Sequence, residues 1–401
     1  MQYTQQDVMD YLREEDVKFI RLVFCDALGV VKNISIMESE LPRAFANGIS
    51  FDASAIRGFS QEERSDLFLL PDPSTLALLP WHPAQGRVVR MFCDVKSPGG
   101  DAYALDTRFL LKRAVEDAAQ AGVCCDIGAE FEFYLFRTDA NGAPTDTPID
   151  QAGYMDMAPE DAGEIVRREI CLTLEEMGIR PETSHHEEGP GQNEIDFRFS
   201  DPVSAADNAV TVKTVIKTIA ARNGLYASFE PKPLARHAGS GMHINISPQG
   251  DCFQAFMAGI LEHVSELTIF FNPTVKSYER LGGYKAPRYI TWSPENRTPL
   301  IRIPAAEDAR RRIELRSPDA MANPYLAYAV LIQAGLDGVR RGLIPPVPCN
   351  INLYTASDDI LSRYAMLPAT LEAAAACMQK SDFVQRLLPP RLIRTYCELA
   401  R

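Results

Sequence analysis

Apolar and polar residues alternate in four short stretches of this chain, and the polar positions are unusual in kind. Across 126–136 one face carries Gly128, Glu130, Glu132 and Tyr134, and the other Ile127, Ala129, Phe131, Phe133 and Leu135. Across 194–199 the polar face is Glu194, Asp196 and Arg198, against Ile195, Phe197 and Phe199. Residues 242–247 present His243, Asn245 and Ser247; residues 312–316 present Arg312, Glu314 and Arg316. A period of two predicts strands. Positions two apart project in parallel, about 6.6 Å apart, so Glu130 and Glu132 are spaced to serve two adjacent metal ions.

The remaining pattern predicts an α+β fold in two parts. Residues 4–14 read as an amphipathic helix capped by Thr4, 18–24 as a strand, 25–32 as a turn into a second strand, 51–73 as a loop and 87–95 as another strand. Lys96-Ser97-Pro98-Gly99-Gly100 is the linker candidate, which divides the chain into 1–100 and 101–401. Beyond it, helices are expected at 106–121 with Asp106 as cap, at 159–178, at 204–223, and from Pro324 to about 340 behind an Asn323 cap. No repeat or low-complexity tract interrupts this order.

Charge and cysteine content narrow the class. Against 41 Lys and Arg stand 54 Asp and Glu, a formal net charge of -13. Such a chain repels phosphate backbones, so nucleic acid is not an expected partner. The nine cysteines include no CxxC pair and most sit in apolar runs, as buried thiols in a reducing compartment do. No apolar run approaches the ~20 residues of a membrane span, and the N-terminus has no apolar signal core. The expected location is cytoplasmic, with no membrane partner.

Taken together, the four polar faces differ from a solvated sheet face, which is rich in Lys, Thr and Ser. Carboxylates with an imidazole suit Mg²⁺ or Mn²⁺. Arginines on neighbouring strands suit phosphate or carboxylate. Arg302, inside the apolar run Leu300-Ile301-Arg302-Ile303-Pro304, requires an anionic partner if buried. These are the parts of a phosphoryl-transfer enzyme with a carboxylic acid substrate. No Walker A or GxGxxG pattern is present, so ATP, if used, is not held by a P-loop.

In order along nearly the whole chain come Phe51-Asp52-Ala53-Ser54-Ala55-Ile56, Gly128-Ala129-Glu130-Phe131-Glu132-Phe133, His185-His186-Glu187 through Glu194, and Pro231-Lys232-Pro233. They continue with Gly239-Ser240-Gly241-Met242-His243, Asn272-Pro273-Thr274, Asn296-Arg297, Arg302-Ile303-Pro304, Arg312-Ile313-Glu314-Leu315-Arg316 and Ala322-Asn323-Pro324-Tyr325-Leu326. This series resembles the glutamine synthetase family, in its bacterial type I form. The resemblance implies an N-terminal β-grasp domain, and a large catalytic domain with a curved antiparallel sheet flanked by helices. It implies a homo-oligomer, a hexameric ring or a dodecamer, with active sites between neighbouring subunits.

The implied activity is an ATP-dependent carboxylate–amine ligase. An acid such as glutamate becomes an acyl phosphate, which ammonia or an amine then attacks. The implied ligands of one metal, Mg²⁺ or Mn²⁺, are Glu132, Glu187 and Glu194; those of a second are Glu130, His243 and Glu314. Arg280, Arg297 and Arg316 match positions that hold the acid and the transferred phosphoryl group. Glu182, Phe229, Ser247 and Arg312 match nucleotide-site positions. Asp52 matches an acid that a neighbouring subunit supplies to the ammonium site. Tyr354 matches a tyrosine that some relatives adenylylate.

The departures fall on the small-substrate positions. The family's flap ends Gly-Tyr-Glu-Ala-Pro, whereas here it reads Gly283-Tyr284-Lys285-Ala286-Pro287. Ala238 stands where an asparagine helps hold the acid's α-carboxylate, and Ala55 where a serine is expected. The segment between Ser247 and Phe256 is shorter than in the family, and the C-terminus is early at Arg401. Metal and phosphate positions are intact. The pattern therefore leaves open a glutamine-forming ligase, a ligase for another amine or acid, or a weakly catalytic sensor.

Overall fold

Thr4 caps the first helix, α1 (Gln5–Glu14), accepting from the Asp7 N–H while Asp7 bonds back to the Thr4 backbone. The structure, a computed structural model, describes residues 3–59, 65–82, 86–306 and 311–400. After α1 come β1 (Val17–Cys25), β2 (Val31–Met37), α2 (Leu41–Asn47), β3 (Ile49–Asp52), β4 (Asp66–Pro71), β5 (Ala77–Leu78) and β6 (Arg87–Lys96). They form one sheet in the order β2-β1-β6-β4-β3, with β5 also on β6. The pairing of β1 with β6 is parallel. Residues 51–73 are more ordered than their sequence suggests. Leu67 and Leu69 of β4 reach the small domain's core on alternate positions, a signal obscured by Pro71 and Pro73. Residues 60–64 of that stretch lie outside the described residues.

The larger part contains α3 (Thr107–Gln120), β7 (Cys125–Thr138), β8 (Pro144–Pro148), α4 (Glu164–Glu176), β9 (Pro181–His186), β10 (Gln192–Phe197), α5 (Pro202–Arg222) and β11 (Leu225–Ser228). It continues with β12 (Met242–Pro248), α6 (Phe253–Phe271), α7 (Val275–Arg280), β13 (Trp292–Pro294), β14 (Ile301–Ile303), β15 (Ile313–Leu315) and α8 (Pro324–Arg341). Shorter helices complete the chain, among them the α-helix Pro390–Cys397 and a final 3-10 turn, Glu398–Ala400. Nine strands make one sheet, ordered β13-β14-β15-β12-β7-β10-β9, with β8 and β11 pairing further along β7. Its pairs are antiparallel except β13 with β14. The result is an α+β architecture: a β-grasp domain, then a large domain with a curled sheet backed by helices.

Burial explains the alternation. Ile127, Phe131 and Phe133 of β7 are fully buried among the residues of α5 and α8 in one continuous core. Helices α6 and α8 cross closely because glycines meet there. A Cβ on Gly338 would lie 2.1 Å from the Ala255 carbonyl, and one on Gly259 2.2 Å from that of Ala334. Helix α4 starts at Glu164, later than expected. The preceding N–H groups of Ala162 and Gly163 are taken by Asp150 and Asp161, and Asp161 is held in a buried pair with Arg167.

The small domain is fixed to the large one by polar side chains. Arg108 of α3 donates to Asp72 and Asp94 of the small domain and to Asp207 of α5 at 2.7–3.1 Å. Asn323, the cap of α8, donates to the Ala27 carbonyl at 3.2 Å. The orientation of the small domain is thus set by buried charge as well as by Val23, Cys25 and Phe92, which join the larger core.

Candidate active site

Strand register brings the polar faces together. His243 of β12 lies opposite Glu130 of β7, which lies opposite Asp196 of β10. The next row sets Glu132 opposite Glu194, and Glu194 opposite His185 of β9. On the other side, Arg302 of β14 pairs with Glu314 of β15, and Glu314 with Asn245 of β12. Directly opposed residues have Cβ atoms about 5 Å apart, so one patch of sheet concentrates carboxylates, imidazoles and guanidiniums.

Among the described residues four groups have metal-ligand geometry, and two of them lie on the expected ligand positions: Glu130, His243 and Glu314, and His185, Glu187 and Glu194, with the ligand atoms of each group within 4.8 Å of one another. The first is the triad expected from sequence. In the second, His185 joins Glu187 and Glu194 where Glu132 was expected. Glu132 is nearby but differently engaged. Its Oε2 accepts from the Gly241 N–H at 2.7 Å, and its Oε1 is 3.9 Å from His243 Nε2. His185 Nε2 lies 3.2 Å from Glu187 Oε1, an adjacency that the His185-His186-Glu187 run could have signalled.

The electrostatics differ between the two groups. Burial pushes the Glu130 carboxyl up, but the His243 hydrogen bond and charge, Asn245 and Arg312 outweigh it and hold it at about 2. Glu194 is less supported, with His185 Nε2 3.9 Å from its Oε1. Burial, with Glu132, Asp196, Glu130 and Glu187 around it, pushes its carboxyl up to about 11. Carboxylates this crowded require a proton or a cation. Oxygen-rich donors with an imidazole fit a hard divalent ion. Glu314 is 1% exposed and is gripped by Arg302 Nη1 at 2.8 Å and Arg316 Nε at 3.1 Å. This is the anionic partner that Arg302 needed.

Two hollows meet at this patch. A cavity of about 830 Å³ is lined by Glu182, Asp196, Phe199, Ser247, Arg311 and Arg312. A smaller one of about 260 Å³ is lined by Tyr154, Glu188, Arg280, Lys285, Arg297 and Arg316. Glu130 lines both. In the larger cavity Arg312 Nε donates to Asn245 Oδ1 at 3.0 Å, and Asn245 Nδ2 to Glu130 Oε1 at 2.8 Å. In the smaller, Arg280 is buried and its Nη1 donates to the Ser317 carbonyl at 2.7 Å, while Arg297 is exposed.

Two expected site residues lie elsewhere. Phe229 lines neither cavity; its ring is buried against Phe131 and Phe133, 6.1 and 5.8 Å between centroids. The aromatic on the wall of the larger cavity is Phe199, 54% exposed. Phe199 was expected on the apolar face, but β10 ends at Phe197 and the chain turns to bridge Ser200 to Ile127. Asp52 ends β3 on the small domain, exposed, where the Ser54 hydroxyl and N–H donate to it at 2.7 and 2.9 Å and lower its pKa. It lines neither of this chain's two cavities.

Known proteins resemble this arrangement throughout. The glutamine synthetase catalytic domain matches residues 104–401, and the glutamine synthetase beta-grasp domain residues 16–98. The chain belongs to the glutamine synthetase family. Members of this family are ATP-dependent ligases that use a divalent metal. A glutamine synthetase of Methanosarcina mazei is 45% identical, covering 98% of this chain and 92% of that protein. One of Clostridium saccharobutylicum is 43% identical, covering 98% and 93%. Among solved structures, a GmaS/ADP complex superposes with a TM-score of 0.89 at 29% identity, covering 98% of this chain and 94% of that one. A Plasmodium falciparum glutamine synthetase, at 24% identity, has a TM-score of 0.87 and covers 99% and 95%, a likeness of fold. Among the described residues no helix is long and apolar enough to cross a membrane.

Proposed function

We propose that this chain joins glutamate to ammonia or a small amine at the expense of ATP, through a γ-glutamyl phosphate. The observation that carries the reading is the meeting of the two cavities at Glu130. ATP would occupy the larger cavity, with Glu182, Ser247 and Arg312 at its walls, and Phe199 as the aromatic surface in place of the buried Phe229. The acid would occupy the smaller one, with Arg280, Arg297 and Arg316. The γ-phosphoryl group would cross where Glu130 stands.

Glu130, His243 and Glu314 would hold one divalent ion, and Glu187 and Glu194, with Glu132 and His185 beside them, another. Such ions, Mg²⁺ or Mn²⁺, spread the charge of a transferring phosphoryl group. The chain's own residues do the rest. Arg316, held by Glu314 and by the Arg297 carbonyl, presents a fixed guanidinium to the charge that develops on the phosphoryl oxygens. A carboxylate oxygen of the acid attacks the γ-phosphorus and ADP leaves. Ammonium gives one proton to a carboxylate, the neutral nitrogen attacks the acyl carbon, and phosphate leaves as the adduct loses a second nitrogen proton to give the amide.

In this reading residues 1–100 form the domain that lends Asp52 to a neighbouring subunit, and 101–401 the catalytic domain. The assembly is a ring of six subunits or a pair of rings. Phosphate release from ATP with Mg²⁺ or Mn²⁺, across a panel of acids and amines, tests it. Release that depends on glutamate and an amine, with the amide as product, is expected. Release that ignores both would overturn the assignment. A donor other than ammonia is a second reading, favoured by the cation Lys285 on the wall of the acid cavity.

A further inference from the structure

The flap loop at 282–287 bends over the acid cavity through two consecutive left-handed residues, Tyr284 at φ 45° and Lys285 at φ 67°. Non-glycine residues keep such a backbone only when their side chains are held. Tyr284 Oη donates to the Arg236 carbonyl at 2.8 Å, and Lys232 Nζ lies 4.2 Å over its ring. Lys285 Nζ forms an ion pair with Glu188 and lies 5.3 Å from the centre of the Tyr154 ring. Tyr154 in turn meets His185 edge to face at 5.4 Å.

Lys285 Nζ is therefore a tethered ammonium group in a box made of one carboxylate and one aromatic face. Carboxylate and aromatic ring are also what would hold a free ammonium ion. Glu130, Glu132, Glu187 and Glu194 also line this cavity, and the ligase reading commits them to divalent ions. Glu188 belongs to no metal-like cluster among the described residues. Within this chain it is the carboxylate of the cavity left over for a cationic substrate, beside the Asp52 that a neighbouring subunit would lend, and Lys285 already occupies it. The lysine side chain is 54% exposed and that of Glu188 35%, so the pair is partly wet and opens at small cost.

We propose that Lys285 is a built-in competitor for the nitrogen donor. Ammonium, or a small primary alkylammonium the size of one lysine head group, enters by displacing Nζ from Glu188 and Tyr154. The inference rests on the ligase reading and adds to it a specificity-determining residue and a donor class.

Lys285→Met keeps the side chain's length and removes its charge. The donor KM should fall about fivefold, the worth of a partly exposed ion pair, while the KM for the acid and for ATP stays put. Lys285→Arg should keep the native donor KM. Adding Glu188→Gln to Lys285→Met should reverse the gain. A donor KM in Lys285→Met that is unchanged or higher would overturn the proposal. If no variant forms product with any donor, the ligase reading itself fails. Competition is then read directly, by NMR titration of the full chain with methylammonium chloride. Tighter binding to Lys285→Met than to the native chain supports the competitor, and equal binding rejects it.

Discussion

Arg302 Nη1 donates to Glu314 Oε2 at 2.8 Å, across the short ladder between β14 and β15. The two residues are direct register partners, and the Glu314 side chain is 2% exposed. One carboxylate oxygen is thus occupied by Arg302, and the other lies 3.1 Å from Arg316 and 3.7 Å from His243 Nδ1. The pair fixes the carboxylate before any ion arrives. Arg302→Met would leave a buried charge with one partner fewer. Breaking a buried pair from one side costs about 3–5 kcal/mol, and the residual grip of Arg316 places the expected loss near the lower end. Urea unfolding measures it. Adding Mn²⁺ should recover more stability in the variant than in the native chain, because a bound cation replaces the missing charge.

Glu130→Gln tests the junction of the two cavities. The amide keeps the size of the side chain and can still bond Asn245 or His243, so the fold should persist with an unchanged circular dichroism spectrum. Phosphate release should fall by at least about 100-fold, the usual effect of removing one electrostatic partner from a transferring group. Near-native turnover at ordinary metal concentration would remove Glu130 from the mechanism.

Asp52 poses a geometric question, because it is exposed on the small domain and lines neither cavity of its own chain. If it serves a neighbour, two dead chains can rescue each other. Asp52→Ala and Glu130→Gln chains, unfolded and refolded together, should yield mixed assemblies with up to about a quarter of native turnover, since in a random mixture about one site in four combines two intact halves. Mixed assemblies that form and stay inactive would place Asp52 outside the shared site.

Much of the catalytic sheet was legible because alternation over β7, β10 and β12 is a local property of the chain. The grouping of Glu130, His243 and Glu314 was implied by the family resemblance, and antiparallel register is what sets those polar faces side by side. What failed was information held between strands. Phe199 continues the alternation of β10 in sequence, yet the strand ends two residues earlier and the ring turns toward the cavity. Phe229 looks equally available but fills the space between Phe131 and Phe133. The Lys285–Glu188 pair joins two loops 97 positions apart, which no periodicity predicts. Helix α4 starts late because Asp150 and Asp161 take the N–H groups of Ala162 and Gly163 just before it, a choice decided by tertiary contacts.

A last prediction concerns pH and lies away from the active site. His263 of α6 sits between two carboxylates, Nδ1 2.5 Å from Glu266 and Nε2 2.8 Å from Asp337 on α8. Its ring stacks on Phe383 at 3.9 Å. With both carboxylates ionised, both nitrogens donate, which only the imidazolium can do. Burial lowers its pKa, but the hydrogen bonds and charges of Glu266 and Asp337 outweigh burial and raise it above the usual 6.5. Asp337 is lowered in return: burial raises its pKa, but His263 and Arg341 outweigh it. Because the folded pKa of the histidine is raised, its stabilisation is fully present below the unfolded value and is lost as pH climbs through the folded one. His263→Gln keeps the shape of the contact without the charge. Hydrogen bonds to charged groups are worth about 1.5–3 kcal/mol, so at pH 6 the variant should unfold measurably earlier than the native chain. The difference in Tm should shrink steadily between pH 6 and pH 9. A penalty that is constant across that range would show that the ring is neutral throughout and that packing on Phe383 supplies the whole of its contribution.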